Sequence, residues 1–438
     1  MNAKRKWVIR NKITHALIPS GIRAKKNAGK TIQAILKQIQ DIGVLGEGLI
    51  ADTEVAMLER QYCDLRAKYT DIKIHYLFTG ALGAYIQTFY LASKDGIEND
   101  GILHIMLPAS LQMAGTAKYP NPMIQEYFDY LFIPNQDNIR MLLYILNYHM
   151  KDVDLSQWSR YASGSIEADG SKDAYVDYRD YVAIHYSEEE MNEGTKYLKE
   201  LGVTGPYVTF RNRVAKGGSL GGVRNGDTST YYKAVSYLQE YGTQCVYVGL
   251  NENDNELGNG IIDASKKYNA KMDLFIHSQA QFFMGDHSGI IAFAQLFNRP
   301  MILLNLPYFT MDGDAYGPTF YERDLLLPEK IYDTKNERYL TIKEMLAFEM
   351  EYLAYKELVQ FYGNNGYEFV KNTEEDILAA VKEMLAKIAG TWQYSEEDLN
   401  LQERYLKILN QNARRYQAKW CRAAIGMEFL KSNQWLLD

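Results

Sequence analysis

Short apolar runs alternate with segments of helical spacing along most of the chain from residue 72 onward. The runs at 72–78, 102–108 and 129–134 have the length of buried strands, and the segments at 79–94 and 138–150 have the spacing of helices. Strands that alternate with helices are typical of a parallel sheet with helices on its faces. The pattern therefore predicts an α/β fold.

The same alternation starts again after a polar stretch, rich in Gly, Ser and Asp, between residues 151 and 186. A helix with an acidic first turn is predicted at 187–202, and further strands and helices follow it. Their segments are 205–212, 229–242, 244–250, 272–280, 281–286, 288–298 and 300–305. Two α/β units of similar size predict a ligand-binding cleft between them.

These patterns divide the chain into four segments. We predict a basic N-terminal arm at 1–40, Rossmann-like domains at 41–190 and 200–390, and C-terminal helices that cross back over the body at 391–438. From Tyr394 the tail reads as helices only, and it opens on a capping box that runs from Ser395 to Asp398. The predicted fold class is α/β, with two Rossmann-like domains facing a cleft and a C-terminal helical extension.

Composition narrows the class of protein. The 438 residues are 47% hydrophobic and 24% charged, as in folded globular proteins, and the net charge of -7 argues against a nucleic-acid partner. The three cysteines, Cys63, Cys245 and Cys421, are widely spaced, which fits a reducing cytoplasm and excludes a cysteine-based zinc site. No run approaches the roughly 18 apolar residues of a membrane span. We predict a cytoplasmic protein.

Charge is uneven at the start of the chain. The first 40 residues contain 10 lysines and arginines, interleaved with apolar residues, and no acid precedes Asp41. Such a segment can rest on the anionic inner face of a plasma membrane, which would make the protein membrane-peripheral. A solvated arm that packs on an acidic body is the alternative.

A turn of small and polar residues, Gly285-Asp286-His287-Ser288-Gly289, separates a predicted strand from a predicted helix. Backbone N–H groups at the start of a helix favour anions such as a diphosphate. Gly285 and Gly289 permit close approach of a ligand, and Ser288 can cap the helix and donate to an anion. The turn predicts a diphosphate site, with an ordinary serine-capped turn as the alternative.

A second element with affinity for anions lies in the same predicted domain. A strand ends in Arg211-Asn212-Arg213, a glycine-rich loop follows, and Arg224 and Asn225 precede the next helix. Guanidinium groups match the geometry of phosphate oxygens. We predict that Arg211, Arg213, Arg224 and Asn225 share a diphosphate with the turn, although arginines in a long loop are often simply solvated.

Several ordered segments between Tyr207 and the C-terminus form a distinctive series. They are YVTFRNR, RNGDTSTYYKAVSYL, FFMGDHSGI, NRPMILLN, DLLLPEKIY, GTWQYSEEDLNLQERY and AAIGMEFLKSNQWLL. The series resembles a family of uncharacterised bacterial surface-glycan glycosyltransferases of the GT-B type, and the turn is similar to the donor-site turn of heptosyltransferases. Relatives carry His-Ala-Arg-Asp where this chain has Arg211-Asn212-Arg213-Val214, so that histidine and aspartate are missing here.

The resemblance implies a glycosyltransferase that moves a sugar from a nucleotide-diphosphate sugar to a glycan or lipid-linked acceptor in bacterial surface polysaccharide synthesis. It implies donor binding by the second domain, acceptor binding by the first, and no metal or other cofactor. Glu322 and Asp324, expected after the last strand, would contact the sugar or the ribose. Helix capping or a surface role is the alternative for both acids.

Fewer residues of the first domain carry chemistry. The sequence singles out no catalytic base, and His104, beside a predicted strand end, is a candidate whose alternative is a core histidine. Gly80 and Gly83 lie in a turn that opens a predicted helix. They can bring the backbone close to a phosphate or sugar, or simply form a tight turn.

Other functions stay open from the sequence. A sugar-nucleotide 2-epimerase of the same architecture would bind the same donor without an acceptor, and a sugar-nucleotide sensor would bind it without turnover. Residues 24–31, AKKNAGKT, nearly match the phosphate-binding loop of nucleotide hydrolases. Ala24 replaces the first glycine of that motif, and Pro19 and Gly21 interrupt the strand that should precede it, so the match argues weakly for a hydrolase.

Overall fold

The chain forms two compact units, Met1–Glu167 and Ala168–Asp438. The computed structural model describes residues 52–77, 83, 86, 89, 101–108, 121–127, 131–132, 139–149, 153–154, 182–213, 223, 225–249, 257–258, 260–309, 322–351, 355–412 and 423–438. The basic arm at 1–40 and its phosphate-loop-like stretch lie outside the described residues. Membrane contact by the arm therefore stays a prediction.

Unit 1 is built on a parallel sheet. Its elements are α1 (Asp52–Lys68), β1 (Asp71–Leu77), β2 (Ile102–Pro108), a 3₁₀ turn (Pro122–Tyr127), β3 (Leu131–Phe132), α2 (Ile139–Tyr148) and β4 (Val153–Asp154). The strand order is β3-β2-β1-β4, and each pair of neighbours is parallel. The strands predicted at 72–78, 102–108 and 129–134 and the helix predicted at 138–150 are confirmed. Apolar residues such as Ile72 of β1, Ile105 of β2 and Leu142 of α2 are buried.

Unit 2 contains a larger parallel sheet and a small antiparallel one. Its elements are α3 (Glu188–Leu201), β5 (Tyr207–Arg211), α4 (Tyr232–Glu240), β6 (Gln244–Tyr247), β7 (Ile261–Asp263), α5 (Ala270–Gln279), β8 (Phe283–Asp286), α6 (Ile291–Leu296), β9 (Met301–Leu306), β10 (Leu325–Pro328), β11 (Lys330–Asp333), β12 (Arg338–Tyr339), α7 (Ile342–Glu351), α8 (Tyr355–Asn365), β13 (Tyr367–Val370), α9 (Glu374–Ile388), α10 (Glu396–Asn412), β14 (Ala424–Ile425) and α11 (Met427–Ser432). Short 3₁₀ turns cover Thr228–Tyr231, Ala264–Lys267 and Gln434–Leu437.

The order of strands in the larger sheet locates its ligand-binding edge. The order is β14-β10-β9-β8-β5-β6-β7, with parallel pairing throughout. From β5 the chain builds the sheet outward through β6 and β7, and from β8 it builds in the opposite direction. In such sheets ligands bind outside the carboxyl ends of the strands, where the direction of building reverses. That point lies between β5 and β8.

The core of unit 2 explains the continuous apolar runs in the sequence. Every residue of β8, β9 and β10 is buried, so these strands show no alternation of apolar and polar positions.

The start of α10 is set by hydrogen bonds between residues close in the sequence. The capping box predicted from Ser395 is confirmed, because the Ser395 N–H donates to Asp398 Oδ2 at 3.1 Å and the Asp398 N–H donates to Ser395 Oγ at 3.2 Å.

The C-terminal tail differs from the prediction of helices only. Ala424 and Ile425 form β14, which pairs with β10 and extends the larger sheet by one strand. The Gln402 side chain holds this strand, since its amide donates to the Ile425 carbonyl at 2.6 Å and accepts from the Ile425 N–H at 3.1 Å. A strand of two residues is too short to show a period of its own, so the sequence pattern misses it.

Both units thus have the predicted α/β character. No helix in the described part of the chain is long and apolar enough to cross a bilayer.

Candidate functional site

The carboxyl ends of β5 and β8 lie side by side at the reversal point of the sheet. Arg211, the last residue of β5, pairs in register with Gly285 of β8. A Cβ atom on Gly285 would lie 2.2 Å from the Arg211 carbonyl oxygen, so only glycine allows this approach. The structure therefore brings together the starts of the two segments that the sequence predicted to share a ligand.

The turn after β8 is longer than the sequence suggested. Gly285 and Asp286 belong to the strand, and α6 begins at Ile291, with Ile290 as its N-cap and no side-chain cap. The prediction that Ser288 caps a helix starting beside it is wrong. The Ser288 carbonyl accepts a hydrogen bond from the Ile291 N–H, and the Gly289 carbonyl accepts one from the Ala292 N–H. Because each bond spans three residues, residues 288–290 form a 3₁₀-like turn.

This turn leaves three successive backbone donors available. The N–H groups of Ser288, Gly289 and Ile290 make no hydrogen bond within the part of the chain that the structure describes. The Ser288 hydroxyl oxygen is buried and also has no hydrogen-bond partner among the described residues. Successive N–H groups in a turn form a concavity that suits an anion, whether or not a long helix follows. We call residues 288–290 the amide turn.

Arg211 places a positive charge beside the amide turn. Its guanidinium donates to the Tyr247 hydroxyl at 2.7 Å and to the Val248 carbonyl at 3.2 Å, and it lies 5.0 Å from the centre of the Tyr247 ring. A Cβ atom on Gly249 would lie 3.5 Å from Arg211 Nη1 and 3.1 Å from Ile290 Cδ1. The guanidinium and the Ile290 side chain therefore lie close together at Gly249.

Asp286 ties the segment at 213–226, which we call the arginine-bearing segment, to β8. Its fully buried carboxylate accepts from the Arg213 N–H at 2.9 Å, the Tyr231 hydroxyl at 3.0 Å and Asn305 Nδ2 at 2.6 Å. Burial raises the pKa of Asp286, and these three donors oppose the rise. The sequence offered Asp286 as part of a binding turn, whereas its contacts are those of a structural acceptor.

The far end of the arginine-bearing segment returns to the same carboxylate. The Gly226 N–H donates to the Arg213 carbonyl at 2.9 Å, and a Cβ atom on Gly226 would lie 2.0 Å from Asp286 Oδ2. Asn225 precedes it and is half-buried. Arg224 lies outside the described residues, so its predicted contact with a diphosphate stays a prediction.

A further set of buried polar residues, which the sequence did not single out, lies beyond Asp286. Asn305 and Asn372 pair reciprocally, with each backbone N–H donating to the other side-chain oxygen at 2.6 and 2.8 Å. Asn305 has a φ of 49°, in the left-handed region that asparagine tolerates. Glu329 contacts Lys371 and completes the set. Each lies at the end of a different strand, which is why no local motif reveals them.

The His287 side chain is engaged in a hydrogen bond outside the amide turn. It is buried, and its Nδ1 shares a hydrogen bond of 2.9 Å with the Tyr308 hydroxyl. The two rings meet edge to face, 5.1 Å between centres. His287 is therefore packed against the segment after β9, and its predicted role in diphosphate binding stays a prediction.

The structure separates Glu322 and Asp324 from the amide turn. The prediction that they follow the last strand is wrong, because β10 to β14 come after them in the chain. Asp324 immediately precedes β10 and is fully buried, and its carboxylate accepts from the Met301 N–H at 2.9 Å, at the start of β9. Glu322 is exposed, and its carbonyl accepts from Lys387. Both lie at the amino ends of the strands, opposite the candidate site.

The predicted residues of unit 1 are only partly described. His104 is fully buried within β2, in register with Lys73 on one side and Leu131 on the other, as a core histidine would be. Gly83 is helical and half-buried, and Gly80 lies outside the described residues. No catalytic role follows from these positions.

Two buried titratable groups of α5, Asp273 and His277, have shifted pKa values. Burial raises the pKa of Asp273 to about 7, and the nearby Arg211 charge opposes the rise. Burial lowers the pKa of His277 to about 3, so its ring is neutral. Asp273 thus has a raised pKa without the three donors that Asp286 has.

Comparison with known proteins finds likeness in structure but not in sequence. No family model matches the chain, and no curated protein matches it. The matched structures include glycosyltransferases. A glycosyl transferase of family 9 from Veillonella parvula is 11% identical, with a TM-score of 0.41, over 73% of this chain and 98% of that one. E. coli ADP-heptose lps heptosyltransferase II is 12% identical, with a TM-score of 0.35, over 59% of this chain and 90% of that one.

A third match is E. coli heptosyltransferase WaaC with ADP, which is 12% identical, with a TM-score of 0.34, over 67% of this chain and 99% of that one. All three matched proteins are named as a glycosyl transferase or a heptosyltransferase.

Proposed function

We propose that the chain is a glycosyltransferase that takes a sugar from a nucleotide-diphosphate sugar, with the donor diphosphate bound at the amide turn of unit 2. The observation that carries this proposal is the set of three successive N–H groups at the reversal point of the sheet that meet no acceptor among the described residues. Arg211, together with the Arg213 and Gly226 backbone, supplies the positive and polar surroundings.

The arrangement suits the chemistry of sugar transfer. The bond between the anomeric carbon and the diphosphate oxygen breaks, a bond to an acceptor oxygen forms, and the acceptor proton passes to a base. Negative charge grows on the departing diphosphate, and donors fixed before the reaction stabilise that charge most effectively. Backbone N–H groups held between a buried strand and a helix are donors of this kind, and they need no metal.

We propose a glycan or lipid-linked acceptor, as in bacterial surface polysaccharide synthesis, and a cytoplasmic reaction. The basic first 40 residues support a peripheral contact with an anionic membrane. Sedimentation with vesicles of phosphatidylglycerol and phosphatidylcholine checks this contact. Binding to the anionic vesicles that is lost when residues 1–40 are removed supports it, and equal binding without those residues refutes it.

Binding of nucleoside diphosphates tests the main proposal. ADP, GDP, CDP and UDP are titrated into the protein by calorimetry, and thermal unfolding is followed with each. One of them should bind and raise the unfolding temperature, since a ligand at about 100 times its Kd stabilises by about 2.7 kcal/mol. The absence of binding by all four contradicts the proposal.

A second assay separates transfer from isomerisation. The nucleotide-sugar of the base that binds best is incubated without an acceptor, and the sugar is analysed. Recovery of unchanged donor, with slow release of diphosphate, is expected of a glycosyltransferase. Appearance of an isomer at C2 would instead identify a 2-epimerase.

A further inference from the structure

A buried ion pair lies beside the candidate site, at the carboxyl end of β10. Glu329 is 1% exposed, and its N–H donates to the Leu306 carbonyl at 2.9 Å. One carboxylate oxygen contacts the Lys371 ammonium, and the other is buried without a hydrogen-bond partner among the described residues. The Lys371 side chain is 32% exposed. The pair is thus buried on the acid side and reaches solvent on the lysine side.

The same ammonium holds the arginine-bearing segment. Lys371 Nζ also donates to the carbonyl of Val223, two residues before Asn225. Gly226 is held by the Arg213 carbonyl, and Arg213 is in turn held by Asp286. The end of the segment therefore has two independent tethers, one from β8 through Asp286 and one from the far side through Lys371.

Stability alone does not explain a pair of this kind. A buried carboxylate loses hydration, and its attraction to one ammonium seldom repays that loss. Burial raises the pKa of Glu329 above its ordinary value, Lys371 opposes the rise, and the charge of nearby Asp286 adds to it. Apolar residues of similar size would fill the same space at lower cost. The contact that apolar residues cannot replace is the hydrogen bond to the Val223 carbonyl.

We propose that Glu329 and Lys371 are positioning residues for the donor site, which fix the Val223 carbonyl and so hold Asn225 and Gly226 against β8. Glu329 orients the ammonium, and Lys371 makes the contact. This inference rests on the proposed function for the identity of the ligand. The positioning itself is a property of the protein before any ligand binds.

Hydrogen exchange of the ligand-free protein tests the positioning. The double variant Glu329→Gln with Lys371→Met removes the buried carboxylate together with its ammonium partner, so we expect it to fold with an unfolding temperature equal to or above that of the wild type. Exchange at the Arg213 and Gly226 amides should nevertheless rise about tenfold, the usual effect of losing a hydrogen bond from a charged donor. Unchanged exchange at both amides overturns the inference.

Affinity for the nucleoside diphosphate that the wild type binds best provides the second readout. The double variant should bind it about tenfold more weakly, and Lys371→Arg, which keeps a charged donor, should recover part of the loss. If stability is kept and affinity is also kept, the pair has no positioning role. If the wild type binds no nucleoside diphosphate, the proposed function fails, while exchange still decides whether the pair fixes the segment.

Lys233→Met is the matched control. Lys233 pairs with Glu374 and Glu375 at the start of α9, but that pair is exposed. Its loss should change neither amide exchange at Arg213 and Gly226 nor affinity. A change as large as that of the double variant would show that general loss of charge, and not the Val223 contact, is responsible, and would overturn the inference.

Discussion

Two neighbouring regions of unit 2 use their polar groups in opposite ways. At the end of β8, the Asp286 carboxylate is fully buried and accepts three hydrogen bonds, from Arg213, Tyr231 and Asn305. Two residues later, the amide turn offers three N–H groups that meet no acceptor among the described residues. Polar groups in folded proteins are normally satisfied, so groups left for water or a ligand stand out.

The contrast separates support from binding. The saturated carboxylate fixes the backbone on which the site is built, whereas the amide turn keeps donors that meet no acceptor among the described residues. Changes that separate β5 from β8 or release Arg213 should reduce stability and affinity together, whereas changes to the turn should reduce affinity alone. The following variants test that division, in order of decreasing effect.

Gly285→Ala should have the largest effect. The added Cβ would lie 2.2 Å from the Arg211 carbonyl oxygen, so β5 and β8 must separate. We expect a loss of about 3 kcal/mol in the free energy of unfolding, measured by urea denaturation. Gly363→Ala is the control, because the residue is within α8 and, apart from its chain neighbours and the backbone of that helix, no atom of the described residues lies within 4 Å of the added Cβ. If Gly285→Ala lowers the free energy of unfolding no more than Gly363→Ala does, β5 and β8 tolerate a wider spacing and this prediction is wrong.

Asp286→Asn should cost roughly 2 kcal/mol, since one side-chain oxygen becomes an NH₂ group that faces the Arg213 N–H. Affinity for the nucleoside diphosphate should fall as well, because the Arg213 end of the segment is released. Tyr231→Phe removes a donor from the other carboxylate oxygen and leaves the Arg213 contact. It should lower stability and keep affinity. Equal loss of affinity in both variants would refute the role given to Arg213.

Asp273→Asn should act in the opposite direction, because Asp273 is buried without comparable donors. Its folded pKa of about 7 lies above the ordinary value of 3.8, so the folded state holds a proton that the unfolded state loses between these values. Wild-type stability therefore falls as the pH rises from 4 to 7. The variant should be more stable by roughly 1–2 kcal/mol at pH 8 and should lose this advantage at pH 4. Urea denaturation at both pH values measures it, and an advantage independent of pH contradicts the cause given.

The sequence predicts more of the fold than of the candidate site. Apolar runs at 72–78 and 300–305 predict strands because parallel sheets are usually covered on both faces, and every residue of β9 is indeed buried. The capping box at Ser395 is equally local. Asp286 shows the limit, because its partners Arg213, Tyr231 and Asn305 are 19 to 73 residues away in the chain.

The start of α6 and the place of Asp324 could not be predicted for related reasons. Ser288 has the chemistry of a cap, but the 3₁₀-like bonds of the turn move the first helical residue to Ile291. The sequence pattern does not show whether Asp324 precedes or follows a strand. The parallel pairing of β10 with β9 places it at the edge of the sheet where the strands begin. Lys371 and Glu329 carry no motif, and their contact depends on two separate strand ends meeting.

Removal of a single N–H group from the amide turn tests the central claim most directly. Ile290 has a φ of -69°, which proline adopts without strain, so Ile290→Pro deletes one donor at the start of α6. Ile290→Ala shortens the same side chain and keeps the N–H. Calorimetry with the nucleoside diphosphate that the wild type binds best should show a Kd about tenfold weaker for the proline variant than for the alanine variant. Equal Kd values for the two variants would contradict diphosphate binding at this turn.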